Sequence, residues 1–403
     1  MGDNEVLLAD IEAAREVLRG VAINTPMEGS RWLSDAAGGP VFFKCENLQR
    51  TGSFKIRGAY LRMCRLSEEE RAHGVVAASA GNHAQGVALA ARLLGIKATV
   101  FMPAGAPIPK EKATRGYGAD IRFVGHSVDD ALVDAKKFAA ETGAVLIHPF
   151  DHVDIVTGQG TCGLEILDQC PDVETVLVPA GGGGLVAGIA TALKGRRPQV
   201  RVVAVQAEGA AAYPESLRQG KPVALRSMTT MADGIAVGCP GEVPFRAIQQ
   251  YVDEVVTVSE ESLSRALLML LERAKLVVEP AGAAAVAAML DDPRRFSTPA
   301  VAVLSGGNID PLLLMRVIRH GMASAGRYLF FRVRIPDVPG GLARLLNELA
   351  DVEANVLDVV HERTSAHLHI DEVEVAMQVE TRGTPHAERV LARLRECGYH
   401  VTE

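Results

Sequence analysis

Segments apolar on both faces, helix-period stretches between them, and glycine turns at the ends of three of these segments predict an α/β protein. Its sheets are open and mostly parallel, sandwiched between helix layers. A change of pattern after residue 322 predicts a second, smaller domain of βαββαβ order, the ferredoxin-like arrangement. At 403 residues the chain is long for a single core, which agrees with such a division.

The strands come first. VVAAS (75–79), ATVFMP (98–103), IRFVG (121–125) and VLIHPF (145–150) form one set. TVLVPA (175–180), VRVVAVQ (200–206) and AVAVLS (300–305) form another. HAQGVALAARLLG (83–95) has helical period, and the acidic run at 68–70 reads as an exposed helix start. The small-residue stretch GMASAG (321–326) suits a linker. The expected domains are therefore 1–322, with a smaller subdomain at about 72–150 inserted in a larger one, and 323–403.

In the second domain Leu329, Phe331, Val333 and Ile335 alternate with Phe330, Arg332 and Arg334, as in a half-buried strand. Leu342, Leu345, Leu346 and Leu349 keep helical spacing. NVLDVV (355–360) and the alternation Val373, Val375, Met377, Val379 give two more strands. Thr384-Pro385 starts a second helix with the stripe Ala387, Val390, Leu391, Leu394, and Gly398 ends it before YHVTE.

Composition excludes several functions. The net charge of −7 is dispersed, so there is no basic footprint for nucleic acid. The acidic start has no signal-peptide core, and AGAAAVAAML (281–290) is too short for a bilayer, so no membrane partner is expected. Six cysteines without a CxxC pair read as reduced thiols of a cytoplasmic protein.

Three turns carry the chemistry: SAGNHA (79–84), AGGGGLV (180–186) and SGGN (305–308). Each follows a strand, where open α/β sheets bind ligands. Gly181, Gly182, Gly183 and Gly184 precede a helix opening at Leu185, so bare N–H groups and a helix dipole can hold a phosphate. Gly182 to Ala187 also fits the dinucleotide pattern G-x-G-x-x-A, with Glu208 near a ribose position. That pattern alone leaves a nicotinamide-dependent oxidoreductase open.

The stretch TGSFKIRGAY (51–60) separates the two. Lys55 follows Phe54 and precedes Arg57-Gly58, and it resembles the Schiff-base lysine of pyridoxal-phosphate enzymes of fold type II, the tryptophan synthase β-like fold. SFKIRGAY, SAGNHAQGVALAA, PAGGGGLVAGIA, TMADGIAV (230–237), EPAGA (279–283) and SGGN occur in the order found in threonine ammonia-lyases. The resemblance covers essentially the whole chain, and its C-terminal part is similar to a single ACT domain.

The resemblance implies a cofactor, pyridoxal 5'-phosphate, and the β-elimination of L-threonine, with L-serine as a second substrate. It makes Lys55 both the imine-forming amine and the base at the α-carbon. A lysine in a low-dielectric crevice loses its proton more readily than one in water. Phe54 then packs on the cofactor ring, Asn82 meets its 3′-oxygen, Gly181–Gly184 and Leu185 hold its phosphate, and Gly234 of TMADGIAV lies beside it. Ser305 faces the pyridine nitrogen, where a neutral hydroxyl makes the ring a weaker electron sink and favours rapid loss of a β-substituent. Ser79, Ala80, Gly81 and His83 belong to the loop that grips the substrate carboxylate.

Rivals of the same fold are a serine-preferring dehydratase and a serine racemase. Related racemases carry a serine acid/base where this chain has Ala80, and acidic metal ligands where it has Gln206 and Ala212, leaving Glu208 isolated. No divalent metal is expected there, and a monovalent ion on backbone carbonyls stays open. His361, His367 and His369 lack a completing cysteine or carboxylate and read as solvated. A non-catalytic amino-acid-binding regulator is opposed by intact Lys55, Asn82 and Ser305. The ACT resemblance implies either sensing of isoleucine or valine at the loop Pro336–Leu342 or a purely dimer-building role. A homodimer or homotetramer is expected from the family.

Overall fold

The computed structural model describes residues 5–363 and 368–402, and every side chain among them except that of Ser324. His367, Glu403 of the final YHVTE segment and the first four residues of the acidic start lie outside the described residues. The chain divides into two compact units, Met1–Pro311 and Leu312–Glu403.

The first unit contains ten strands: β1 (Met27–Gly29), β2 (Val41–Lys44), β3 (Val75–Ala78), β4 (Ala98–Met102), β5 (Asp120–Phe123), β6 (Val145–Leu146), β7 (Thr175–Pro179), β8 (Arg201–Ala207), β9 (Glu254–Val258) and β10 (Ala300–Val303). They form a six-stranded sheet of order β1-β2-β10-β7-β8-β9 and a four-stranded sheet of order β5-β4-β3-β6. Every pairing is parallel except β1 with β2. The central strands β7 and β10 are buried at every position, as helix layers on both faces require. The helices Val153–Gln169 and Gly184–Arg196 supply much of that cover. The acidic run at 68–70 opens the helix Glu68–His73, where Ser67 and Glu70 form a capping box.

Three strands were not read from the sequence. The segment β1 is only three residues long, and β9 lies at a sheet edge. β2 ends in Lys44, a residue type that reads as solvent-facing, yet this lysine is fully buried because Glu165 lies 2.6 Å from its Nζ.

The second unit has β11 (Tyr328–Pro336), the helix Gly341–Asp351, β12 (Asn355–Glu362), β13 (Glu372–Glu380), the helix Thr384–Glu396 and β14 (His400–Thr402). The order is βαββαβ, and the antiparallel sheet runs β12-β13-β11-β14. Val333 pairs with Val375 and Phe331 with Met377, so the alternating apolar positions share one face. Leu345, Leu349, Val390 and Leu394 cover it. Burying each such side chain contributes about 1.5–3 kcal/mol over leaving it exposed. No helix among the described residues is long and apolar enough to cross a membrane.

Candidate active site

The three glycine-bearing turns meet where the first unit's strands end. Ser79 follows β3, Gly181 follows β7, and Ser305 follows β10. The segment before Lys55 is stitched to the last of these turns. Ser53 bridges Gly306, Phe54 N–H donates to the Ser305 carbonyl at 3.3 Å, and Gly307 N–H donates to the Gly52 carbonyl at 2.8 Å. Lys55 is thereby placed at the first turn of the helix Lys55–Cys64, its side chain partly buried.

Among the described residues the Lys55 ammonium has one hydrogen-bond acceptor, the Pro149 carbonyl at 2.9 Å, and it stands 5.0 Å from the centre of the Phe54 ring. Burial pushes its pKa down to about 8, against the pull of the Glu279 carboxylate. A neutral amine is therefore accessible close to neutral pH.

Facing it is a chain of side-chain amides. Asn82 Nδ2 donates to Glu279 Oε1 at 2.5 Å, and Asn82 Oδ1 accepts from Asn308 Nδ2 at 2.8 Å. Asn308 Nδ2 also donates to the Thr51 carbonyl at 2.6 Å. Two of the asparagine's groups are thus fixed, and its second N–H remains to point at a ligand. Glu279 is 2% exposed. Burial and the Asp233 charge push its carboxyl up to about 7, against the pull of Lys110 and of the Asn82 hydrogen bond.

The glycine loop is packed too closely on its neighbours to carry side chains. A Cβ on Gly182 would collide with the Phe150 ring, one on Gly181 would lie 2.9 Å from Ile235 Cα, and one on Gly184 would lie 3.1 Å from Phe150 Cβ. Gly183 adopts φ +96°, a left-handed conformation, and a Cβ there would strike the Tyr213 hydroxyl. Tyr213 Oη donates to the Gly182 carbonyl at 3.1 Å, holding the loop. With the Gly182 carbonyl taken by Tyr213 and the helix Gly184–Arg196 starting at the loop, the N–H groups of the first turn lack intrahelical partners and can receive an anion. Leu185 is buried at the second position of that helix. This loop, a lysine that sheds its proton readily and an oriented asparagine amide fit pyridoxal phosphate.

The loop Ser79–His83 lines the other wall. Gly81 N–H donates to Ser79 Oγ at 3.1 Å, and the helix Asn82–Leu94 begins next to it. Ala80 presents only a methyl group. His83 is 4% exposed and its ring shares a hydrogen bond of 2.8 Å with the Ile147 carbonyl. Burial and the Lys55 charge push its pKa down to about 3, so the ring is neutral and donates to that carbonyl. Its side chain serves the packing of the loop, leaving its backbone N–H at the helix start. A Cβ on Gly234 would lie 2.9 Å from Ala281 Cβ and 3.5 Å from Glu279 Oε1, and Ser305 is 4% exposed.

Glu279 and Asn308 received no role from the sequence although both stand in quoted motifs. A glutamate just before the fully buried Pro280–Met289 helix segment was the available signal, because an unpaired carboxylate is costly there. In the segment 205–215, the Gln206 side chain accepts from Tyr213 N–H at 2.9 Å and donates to the Ala180 carbonyl at 3.3 Å. It thus ties that segment to the glycine loop. Among the described residues no group of three or more histidine, cysteine, aspartate or glutamate side chains is placed to hold a metal.

Residues 18–306 match the family model described as pyridoxal-phosphate dependent enzyme. An L-threonine ammonia-lyase of Thermotoga maritima is 45% identical over 396 residues, 98% of this chain and 99% of the relative. One of Geobacter sulfurreducens is 47% identical over 394 residues, 97% and 98% of the two chains. Among solved structures, the processed form of threonine deaminase isoform 2 from Solanum lycopersicum superposes with a TM-score of 0.74 and 39% identity, covering 77% of this chain and 86% of its own. Maize serine racemase gives 0.74 and 35%, covering 79% and 98%.

Proposed function

The chain belongs to the family of pyridoxal-phosphate dependent enzymes, and from that premise we propose that it converts L-threonine to 2-oxobutanoate and ammonia. It is a lyase, and relatives that share nearly its full length are L-threonine ammonia-lyases. The observation that carries the assignment is Lys55. Its amine is brought down to about 8 by burial against the pull of the Glu279 carboxylate, and it donates to the carbonyl of Pro149, next to the Phe150 that packs on the glycine loop.

When bound, pyridoxal phosphate supplies an electron sink that makes the substrate's α-proton acidic. Gly181–Gly184 and the helix behind them would hold its phosphate, and Asn82, fixed by Glu279 and Asn308, would donate to its 3′-oxygen. Phe54 and Gly234 would be the residues against its ring. Ser305 would offer a bound pyridine ring a neutral hydroxyl in place of a charged partner. The backbone at Ser79–His83 seats the carboxylate and Lys55 takes the α-proton. Ala80 has no proton to return from the opposite face, which favours elimination over racemisation. L-serine is the second substrate, because it differs by one methyl group and such differences discriminate by about 1–3 kcal/mol.

The second unit is read as an ACT domain on its βαββαβ order. The supporting feature for amino-acid sensing is its first loop. Gly340 at φ +82° precedes the helix Gly341–Asp351, and a cleft of about 860 Å³ is lined by Arg334, Pro336 and Arg344 together with Glu348 and Glu372. Isoleucine or valine is the proposed effector, acting on a homodimer or homotetramer. The test is turnover of threonine and serine, with oxoacid and ammonia measured together, with and without each branched-chain amino acid. Equimolar 2-oxobutanoate and ammonia support the activity, and no oxoacid overturns it. An unchanged rate and assembly state with every effector removes sensing.

A further inference from the structure

One charged pair in the crevice has no part in the chemistry described above. Lys110 stands in the helix Ile108–Gly116, which follows β4 of the smaller sheet. Its Nζ lies 2.6 Å from Oδ2 of Asp233, in the TMADGIAV turn borne by the larger sheet. The partners are unequally exposed: the lysine side chain is 9% accessible and the aspartate 58%. The ammonium also hangs over the carboxylate loop, since a Cβ on Gly81 would lie 3.8 Å from Nζ. The field of both groups reaches the buried Glu279.

These placements pose an electrostatic problem and its solution. Once Lys55 is committed to the cofactor, an amino acid entering the Ser79–His83 loop brings a full negative charge beside a buried carboxyl. Backbone N–H groups supply only partial charges. Lys110 is a whole positive charge already at that loop. Its present partner faces water, where an ion pair is weak and readily exchanged.

We propose that Lys110 supplies the counter-charge for the substrate's α-carboxylate, and that Asp233 is a positioning residue that holds the ammonium over the loop until the substrate arrives. This rests on the amino-acid substrate assigned above. It makes the crevice selective for a carboxylate and not merely for an α-amine.

The test pairs an enzyme group with a substrate group, in the holoenzyme. kcat and KM are measured for L-threonine and for L-threoninamide, which lacks the charge. Lys110→Met should lower kcat/KM for threonine about tenfold to a hundredfold, mainly through KM, the scale of a lost charge-assisted hydrogen bond. Threoninamide should be unaffected within about twofold. Lys110→Arg should recover most of the loss, and Asp233→Asn should give a smaller loss confined to threonine.

Spectral titration of Lys110→Gln with glycine and glycinamide makes the same comparison without turnover, and it serves if the methionine variant folds poorly. Equal losses on acid and amide, or no loss on either, overturn the proposal and leave Lys110–Asp233 a structural link. A protein that carries no cofactor absorption, or an unmodified enzyme that makes no oxoacid, defeats the functional assignment instead.

Discussion

Two clusters of charged side chains meet one helix, and they have opposite characters. Arg57 and Lys55 are two residues apart on the helix Lys55–Cys64, so they project to nearly opposite sides. On Arg57's side every charge is saturated. Arg57 donates to Glu46 at 2.8 and 2.9 Å and to Glu165 at 2.6 and 2.9 Å, and Lys44 donates to Glu165 at 2.6 Å, Gln169 at 2.9 Å and the Thr25 carbonyl at 2.9 Å. Burial alone would raise the Glu46 carboxyl, but the charge and hydrogen bonds of Arg57 hold it below its ordinary value. On the other side Lys55 has one acceptor and a depressed pKa, and Glu279 has one donor and a raised one. Burial is common to both clusters. Saturation makes one a fastener, and its lack makes the other reactive.

The comparison is tested first where the effect is greatest. Lys55→Ala should cut deamination by roughly 10³-fold or more and abolish the visible absorption of purified protein, while its melting temperature stays near that of the parent. On the saturated side, Arg57→Leu should leave the buried Glu46 carboxylate without its partner and Glu165 with Lys44 alone. The expected loss is about 3–5 kcal/mol in denaturant unfolding.

The same change made in each cluster sharpens the contrast. Glu46→Gln should destabilise at neutral pH, because a carboxyl held low contributes stability above its unfolded pKa that is lost only as pH falls through its folded value. Glu279 behaves in the opposite sense. With a folded pKa of about 7, its contribution is full below about 4.5 and is lost as pH rises through 7. Glu279→Gln should therefore cost cofactor-free protein nothing above pH 7, and stability curves of parent and variant should diverge as pH rises.

Gly183→Ala tests the glycine loop, where a side chain at φ +96° meets Tyr213. A loss of about 1–3 kcal/mol in stability and weaker cofactor retention on dialysis are expected. The smallest effect belongs to a saturated but exposed pair. Arg332, 2.9 Å from Glu374 on the open face of the second unit, should be replaceable by alanine with no resolvable shift in melting temperature.

How much of this was legible in the sequence follows from where each partner lies. Strands such as Val176–Val178 and Val301–Val303 announce themselves because both faces are apolar, and the glycine turns stand directly after them. Lys55 was legible from its neighbours. Lys44 was not, since the glutamate that lets a strand bury it lies 121 residues away. Glu279 and Asn82 meet across 197 residues and Lys110 and Asp233 across 123, so no local pattern couples them. His83 next to Asn82 read as a ligand-loop residue, and only the tertiary position of the Ile147 carbonyl shows where its ring is spent. Local periodicity records which faces are buried. It does not record which buried charges find partners.

The central claim is that the less saturated lysine is the one that reacts. Purified protein loaded with pyridoxal phosphate is reduced with borohydride, digested, and the labelled peptide identified by mass spectrometry. The account predicts one adduct, on the Lys55 side chain, formed on reloading stripped protein at a rate that rises with pH through about 8 and then levels. An adduct on Lys44, Lys110 or any other lysine, or none at all, contradicts it.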